Sequence, residues 1–242
     1  MCARYTLTET TEAVETLFGL ESLDPFPPRY NIAPTQPILM MTASGVCDIA
    51  PILVRWGFVP NWVKEPGEFS LLLNARSETA AEKPSFRNAM RHRRTLVPAS
   101  GYYEWHRQGD AKQAYLIRPR NGGILTFGGL METWSSANGS EIDSGCILTT
   151  GSNQSLSPIH HRMPVIIRPE DFDRWLNCRT QEPRHVEELM LPFDDDFLEC
   201  VPIGKAVNTV TNSGPEIQNP VEIDEESVQK DKEPKPDQMD LF

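Results

Sequence analysis

The sequence predicts a β-rich α+β domain, and three observations carry that reading. Apolar and aromatic residues fall in short runs bounded by Gly, Pro, Asn and Ser, which is the punctuation of strands and turns. Helical periodicity is confined to a few segments that sit between those runs. The chain also holds 21 prolines, which suit loops and strand edges better than helix interiors. Strands therefore form the body, and helices lie at its periphery.

Taken in order, a strand carries Cys2 and leads to a helix. Thr8 or Thr10 caps that helix, Val14, Leu17 and Phe18 have its spacing, and Gly19 ends it. Residues 22–37 are proline-rich and read as irregular. A strand over Ile38–Thr42, a Ser44-Gly45 turn and a strand through Ile52–Phe58 make a hairpin. The aromatic stretch from Trp56 to Trp62 breaks into a loop. Leu71–Ala75 reads as a short strand that enters a helix at Arg76–Thr79, and Phe86–Arg94 as a short basic helix. Strands follow at Arg94–Pro98, Tyr102–His106, Ala114–Arg118, Ile124–Trp134 and Gly145–Thr150. Pro158–Pro164 is a His-rich loop before a strand over Val165–Ile167. Pro169 with Glu170 and Asp171 opens a helix to Cys178, because proline suits the first helical position and acidic residues the helix N-terminus. A further helix is expected over Glu182–Leu191, and Ala206–Val210 is the last apolar segment.

The length of 242 residues suits one moderate domain with a tail. The net charge of −11 is uneven. Residues 213–242 carry nine Asp/Glu against three Lys, a net of −6, which leaves −5 for residues 1–212. A mildly acidic body can still present a local basic groove, so net charge does not exclude nucleic acid. The five cysteines, at 2, 47, 146, 178 and 200, form no Cys-x-x-Cys pair. That spacing argues against a metal site or a disulfide framework and fits a reducing compartment. No basic-then-apolar leader and no membrane-length apolar run is present. A soluble cytoplasmic monomer, without metal, cofactor or membrane contact, is the expectation.

Cys2 offers unusual chemistry. Removal of Met1 would leave its α-amine and thiol on one residue. An amine condenses with an aldehyde to an imine, and a thiol at this distance can close on the imine carbon as a five-membered thiazolidine. The two groups ionise at about 7.7–8.0 and about 8.5, so both are partly reactive near neutral pH. By itself a second-position cysteine is usually silent.

Further motifs accompany it. They are Tyr30-Asn31-Ile32-Ala33-Pro34, Arg55-Trp56-Gly57, Asn74-Ala75-Arg76-x-Glu78, Tyr103-Glu104-Trp105 and His160-x-Arg162-x-Pro164. In this order, together with Met-Cys, they resemble the SOS-response-associated peptidase family, over Cys2 to about residue 221. The resemblance implies a single domain over 1–221 with a barrel-like central sheet. It also implies a DNA-repair function that serves the SOS response near the nucleoid. Members bind single-stranded DNA at abasic sites, whose open sugar is an aldehyde, and become covalently joined to it through the terminal cysteine. They also remove their own Met1, a hydrolase or protease activity, and the sugar chemistry has lyase character.

By matching motif, Cys2 is the nucleophile, Glu104 the acid/base, and His160 the group that assists sugar opening and ring closure. His160 is preferred to His161 because the motif reads Ile-His-x-Arg. Asn74 positions the Cys2 amine or the sugar. Arg4, Arg76 and Arg162 face phosphates or support the site, and Trp62, Pro34 and Phe58 stack on or wedge between bases beside the lesion. Trp56 reads as core. The run Arg91-His92-Arg93-Arg94 reads as a phosphate track mixed with a solvated helix face. Two positions depart from the family pattern, Ala3 in place of glycine and Thr209 in place of asparagine.

Residues 222–242 have the composition of a disordered acidic linker and end in Gln238-Met239-Asp240-Leu241-Phe242. That pentapeptide resembles the bacterial sliding-clamp-binding motif, with Leu241 and Phe242 for an apolar pocket and Gln238 for a polar one. Two other function classes fit the residue types. One is a cysteine-dependent peptidase acting on other proteins, and the other is a non-catalytic reader of modified DNA.

Overall fold

The computed structural model describes residues 2–45, 48–108 and 111–222. The expected clamp motif, the rest of the acidic tail and Cys47 lie outside the described residues. Twelve strands and four short helices run in chain order among the described residues: β1 (Tyr5–Leu7), α1 (Thr11–Phe18), β2 (Arg29–Ile32), β3 (Pro37–Ala43), β4 (Ile49–Trp56), β5 (Asn74–Arg76), α2 (Ser77–Ala80), α3 (Arg87–His92), β6 (Arg94–Ala99), β7 (Gly101–Gln108), β8 (Ala111–Pro119), β9 (Leu125–Ser135), β10 (Glu141–Gly151), β11 (Arg162–Pro164), α4 (Phe172–Leu176) and β12 (Leu198–Ile203). The β-rich α+β expectation holds.

The strands form two sheets, and one closes on itself. β3 pairs antiparallel with β4 and with β6, β6 with β9, and β9 with β10. β10 then returns to β4 in parallel, with Ser144 opposite Arg55 and Gly145 opposite Trp56, which completes a five-stranded barrel. Closure removes the exposed edges that an open sheet would leave. The second sheet is antiparallel, in the order β12-β8-β7-β1-β2.

β10 is the element that prepares the site. Its first half is edged by β4 and β9. Past Gly145 the partners change: β5 pairs in parallel at Ile147–Thr149, and β11 antiparallel at Thr149–Gly151. Two short strands that carry polar motifs thus flank the end of one buried strand. The exchange of β4 for β5 begins at Gly57, whose φ of 141° ends β4 and starts the excursion of residues 58–73. A side chain there would also meet the Leu71 methyl at 2.3 Å, which the exposed leucine could relieve by moving, so it is the positive φ that calls for glycine.

Aromatic rings fill the interior. Trp56 is fully buried and donates its indole N–H to the Leu73 carbonyl at 3.1 Å. Tyr5 packs edge-on against Trp56 and Phe127, and Tyr102 against Phe127. Burial of each such ring contributes about 1.5–3 kcal/mol. A second cluster, around Tyr103, Ala114, Leu116, Ile203 and Val207, lies on the other face of β7 and β8.

The structure corrects several local expectations. Residues 29–32 are not irregular but pair with β1 as β2. β12 was absent from the expected elements; its run Leu198–Ile203 contains Glu199 and Pro202 and lies at a sheet edge, where proline is tolerated. The helix expected over Glu182–Leu191 is two 3-10 turns, Pro183–His185 and Glu187–Met190, and the one expected to reach Cys178 is a 3-10 turn followed by α4. The strand expected at Val165–Ile167 is a single antiparallel bridge, Phe127 to Ile166, with flanking backbone bonds to β9, and the regular ladder lies just before it at Arg162–Pro164.

Arg94 is not part of a phosphate track. It is 1% exposed and donates to the carbonyls of Trp175, Met90 and Gln181 at 2.7, 2.9 and 2.8 Å. Arg93 pairs with the buried Glu132. Arg91 and His92 are exposed, and Arg93 is partly so.

Candidate functional site

The N-terminal segment lies against β7. Tyr5 stands opposite Tyr102, and beyond the paired residues the Tyr103 N–H donates to the Arg4 carbonyl at 3.0 Å. Continuing that antiparallel register sets the segment before β1 beside Glu104. Residues 2–4 leave regular strand geometry, and Cys2 turns into the main core cluster with Tyr5 and Tyr102.

Cys2 is buried, at 1% exposure. Its thiol lies 3.8 Å from the Arg4 carbonyl, and Asn74 Nδ2 donates to the Cys2 carbonyl at 2.8 Å. Burial first, and the Glu104 carboxylate second, push the thiol's ionisation well above its ordinary value. Glu104 is itself buried, on the face of β7 that it shares with Tyr102.

Asn74 begins β5, and its Oδ1 has no hydrogen-bond partner among the described residues. With Nδ2 committed to the Cys2 carbonyl, that oxygen remains to accept an N–H from an incoming group or a terminal amine. His160 precedes β11. Its Nδ1 lies 3.0 Å from the Arg162 N–H and 3.1 Å from the Arg162 carbonyl. In the tautomer that accepts the N–H at Nδ1, the ring presents an N–H at Nε2. His161 stacks on it at 4.5 Å, is exposed, and has its pKa lowered chiefly by the electrostatic effect of the adjacent His160. The half-buried, backbone-oriented His160 is thus the better-placed imidazole of the two.

The arginines divide into two kinds. Arg162 is bound inward: its guanidinium pairs with both oxygens of Glu78 at 2.5 and 2.9 Å and donates to the Thr149 carbonyl at 2.5 Å. This bidentate contact fixes β11 to the first turn of α2 across the end of β10. It also holds the Glu78 carboxyl below the usual carboxylate range. Arg4 donates to Asn31 Oδ1 at 2.7 Å and to the Val207 carbonyl at 2.9 Å. Arg76, at the end of β5, is exposed. Trp62 is 56% exposed, with its ring edge-on to Phe69 at 5.8 Å, and Pro34 is half-buried. Phe58 is 1% exposed and packs on Phe86, so it is core and stacks on no base.

Sequence reasoning quoted Glu78 and Asn31 inside motifs but assigned them no role. Asn31 is a hub: its amide faces the carbonyls of Val207, Thr209 and Asn212 at 3.4, 3.1 and 2.7 Å while its Oδ1 takes Arg4. Trp105 adds a bond to Asn208 at 2.7 Å. Residues 205–212 are thereby strapped beside the N-terminal segment through Arg4. Thr209 joins the strap through its backbone carbonyl, so its departure from asparagine leaves that bond intact.

Comparison with known proteins agrees with the geometry. The family model described as SOS response associated peptidase (SRAP) matches residues 1–210. The chain is 34% identical over 221 residues to the abasic site processing protein YoqW of Bacillus subtilis, covering 90% of this chain and 98% of that one. It is 30% identical over 230 residues to the abasic site processing protein YedK of Escherichia coli, covering 91% and 100%. A crystal structure of a protein from Bacteroides thetaiotaomicron superposes with a TM-score of 0.80 at 25% identity, over 91% of this chain and 100% of that one. The chain belongs to the SOS response associated peptidase family.

Proposed function

We propose that this protein processes abasic sites in single-stranded DNA by forming a covalent thiazolidine through Cys2, after removing its own Met1. The observation that carries the reading is the setting of Cys2: a buried thiol within the field of the buried Glu104, on a residue whose carbonyl is held by Asn74. The similarity to proteins named for abasic-site processing supports it.

The chemistry follows from the residues. Release of Met1 frees the Cys2 amine, which Asn74 Oδ1 steadies. The amine adds to C1′ of the opened sugar, and water leaves to give the imine. His160 moves the proton that ring opening requires, and Glu104 takes and returns protons at Cys2. The thiol then closes on the imine carbon. Arg76 is the first phosphate contact, and Arg4 and Arg162 add positive potential from braced positions. Trp62 and Pro34 meet the flanking bases, where stacking is worth about 1–3 kcal/mol per base. Phosphate contacts of this kind bind without sequence preference and weaken with salt.

Electrophoresis with an abasic oligonucleotide tests the claim. The wild type should give a heat-stable shifted band and Cys2→Ala none. A heat-stable adduct that survives Cys2→Ala ends the proposal.

Residues 238–242 extend the reading to a partner. Their match to the clamp-binding pattern proposes delivery to replication forks by the bacterial sliding clamp. A labelled 230–242 peptide should bind purified clamp saturably and lose that binding without Leu241 and Phe242; failure of either result removes the partner.

A further inference from the structure

Tyr102 has no part in the chemistry above, yet its surroundings are those of a working group. It stands two residues before Glu104 on β7, so the two side chains share a face. The alternate residues, Tyr103 and Trp105, pack on the opposite side with Ala114 and Leu116. Tyr102 lies in the same buried cluster as Cys2, directly across from Tyr5. It is 1% exposed, and its hydroxyl has no hydrogen-bond partner among the described residues.

Buried hydroxyls are nearly always bonded, and phenylalanine would fill the same space without leaving an orphaned donor. Burial, with the charges of Cys2, Glu104 and Cys200 adding to it, keeps the phenol from ionising, so its proton stays available for donation. The Tyr5 hydroxyl is also without a partner among the described residues and feels Cys2 too, but the Arg29 guanidinium acts on it more strongly, and Tyr5 is not on the strand that carries Glu104. Tyr102 is therefore the phenol that shares its strand face with the base and its cluster with the nucleophile.

We propose that the Tyr102 hydroxyl is a further catalytic group, which donates a hydrogen bond to the Cys2 sulfur during ring closure. This rests on the abasic-site reading given above. In that step the Cys2 S–H proton passes to the Glu104 carboxylate. A sulfur electron pair forms the bond to C1′ of the protonated imine, and the π pair of the C=N bond settles on nitrogen. Tyr102 neither gains nor loses a proton; its O–H aims the sulfur and offsets the negative charge that develops there. The requirement is met only when the sulfur ionises, which accounts for a donor left unbonded at rest.

The experiment compares wild type, Tyr102→Phe and Tyr5→Phe on an abasic oligonucleotide. Borohydride trapping reads the imine, heat-stable product reads closure, and a melting curve reads stability. Tyr102→Phe should melt no lower than wild type, form the imine within about twofold of its rate, and close about tenfold more slowly. Tyr5→Phe should close within about twofold of wild type. Closure by Tyr102→Phe at the wild-type rate overturns the proposal. So does an equal slowing in both variants, or a slowing that comes with a lower melting temperature. Failure of the wild type to form any adduct would instead overturn the underlying function, and the role of Tyr102 with it.

Discussion

At the scale of single residues, burial works against Cys2 and a neighbour answers it. The same desolvation that protects the thiol holds it protonated, and the adjacent Glu104 carboxylate adds to that effect. The cost is recovered only if the carboxylate accepts the proton when the reaction begins. Glu104→Gln keeps the shape and removes the base. It should slow adduct formation by about a hundredfold or more and leave Met1 attached, as read by time-resolved electrophoresis and protein mass. An unchanged rate would release Glu104 from its role. Cys2 drew notice by its chemistry, while Glu104, Asn74 and His160 were proposed only through the family resemblance of the motifs that hold them. The inward commitment of Arg4 and Arg162 could not be read from the sequence. Their partners, Asn31 and Glu78, lie 27 and 84 residues away in sequence, and only the strand pairing brings them together.

At the scale of elements, β10 does the organising. Its change of partners from β4 to β5, and from β9 to β11, sets Asn74, Arg76 and Arg162 around one strand end. Apolar and aromatic runs such as β3, β7, β8 and β9 were legible. β2 and β12 were not, because proline neighbours and sheet-edge polarity hide the strand pattern. The 3-10 turns over residues 183–190 show the converse error, in which local helical spacing lacks a long apolar face to extend it. The basic run at residues 91–94 misled for a related reason: strand β6 starts at Arg94 and turns that residue inward while α3 keeps Arg91 outward. Arg94 ties α3, β6 and α4 together through three carbonyls. Arg94→Met should lower stability by about 3 kcal/mol in urea unfolding, since three buried acceptors lose their donor. A loss under about 0.5 kcal/mol would place Arg94 among ordinary surface arginines.

At the scale of the whole molecule, the interior is rich in groups that ionise only with difficulty. Burial raises the pKa of Cys2, Cys146, Tyr5 and Tyr102 above their ordinary values, and partial burial pushes Cys200 up to about 11. Below about pH 8.5 the folded and unfolded chains both keep these protons. Above that value the unfolded thiols release theirs while the folded ones do not. The folded state then binds more protons, and stability falls as pH rises toward the folded values. Each buried thiol contributes a slope of up to about 1.4 kcal/mol per pH unit in that window. Urea unfolding from about pH 7.5 to about pH 10 should show a steady decline. A flat or rising profile would mean that the thiols are not buried as described. The barrel as a whole followed from the family resemblance; composition and periodicity reached only the β-rich class, because closure depends on the β4–β10 pairing between residues 89 positions apart.

Intact mass spectrometry of the purified protein, before and after incubation with an abasic oligonucleotide, tests the central claim most directly. The account predicts a protein that lacks Met1, and then a single adduct whose mass is that of protein plus oligonucleotide less one water. Retention of Met1 in a protein that still forms the adduct, or the same adduct from Cys2→Ala, would contradict it.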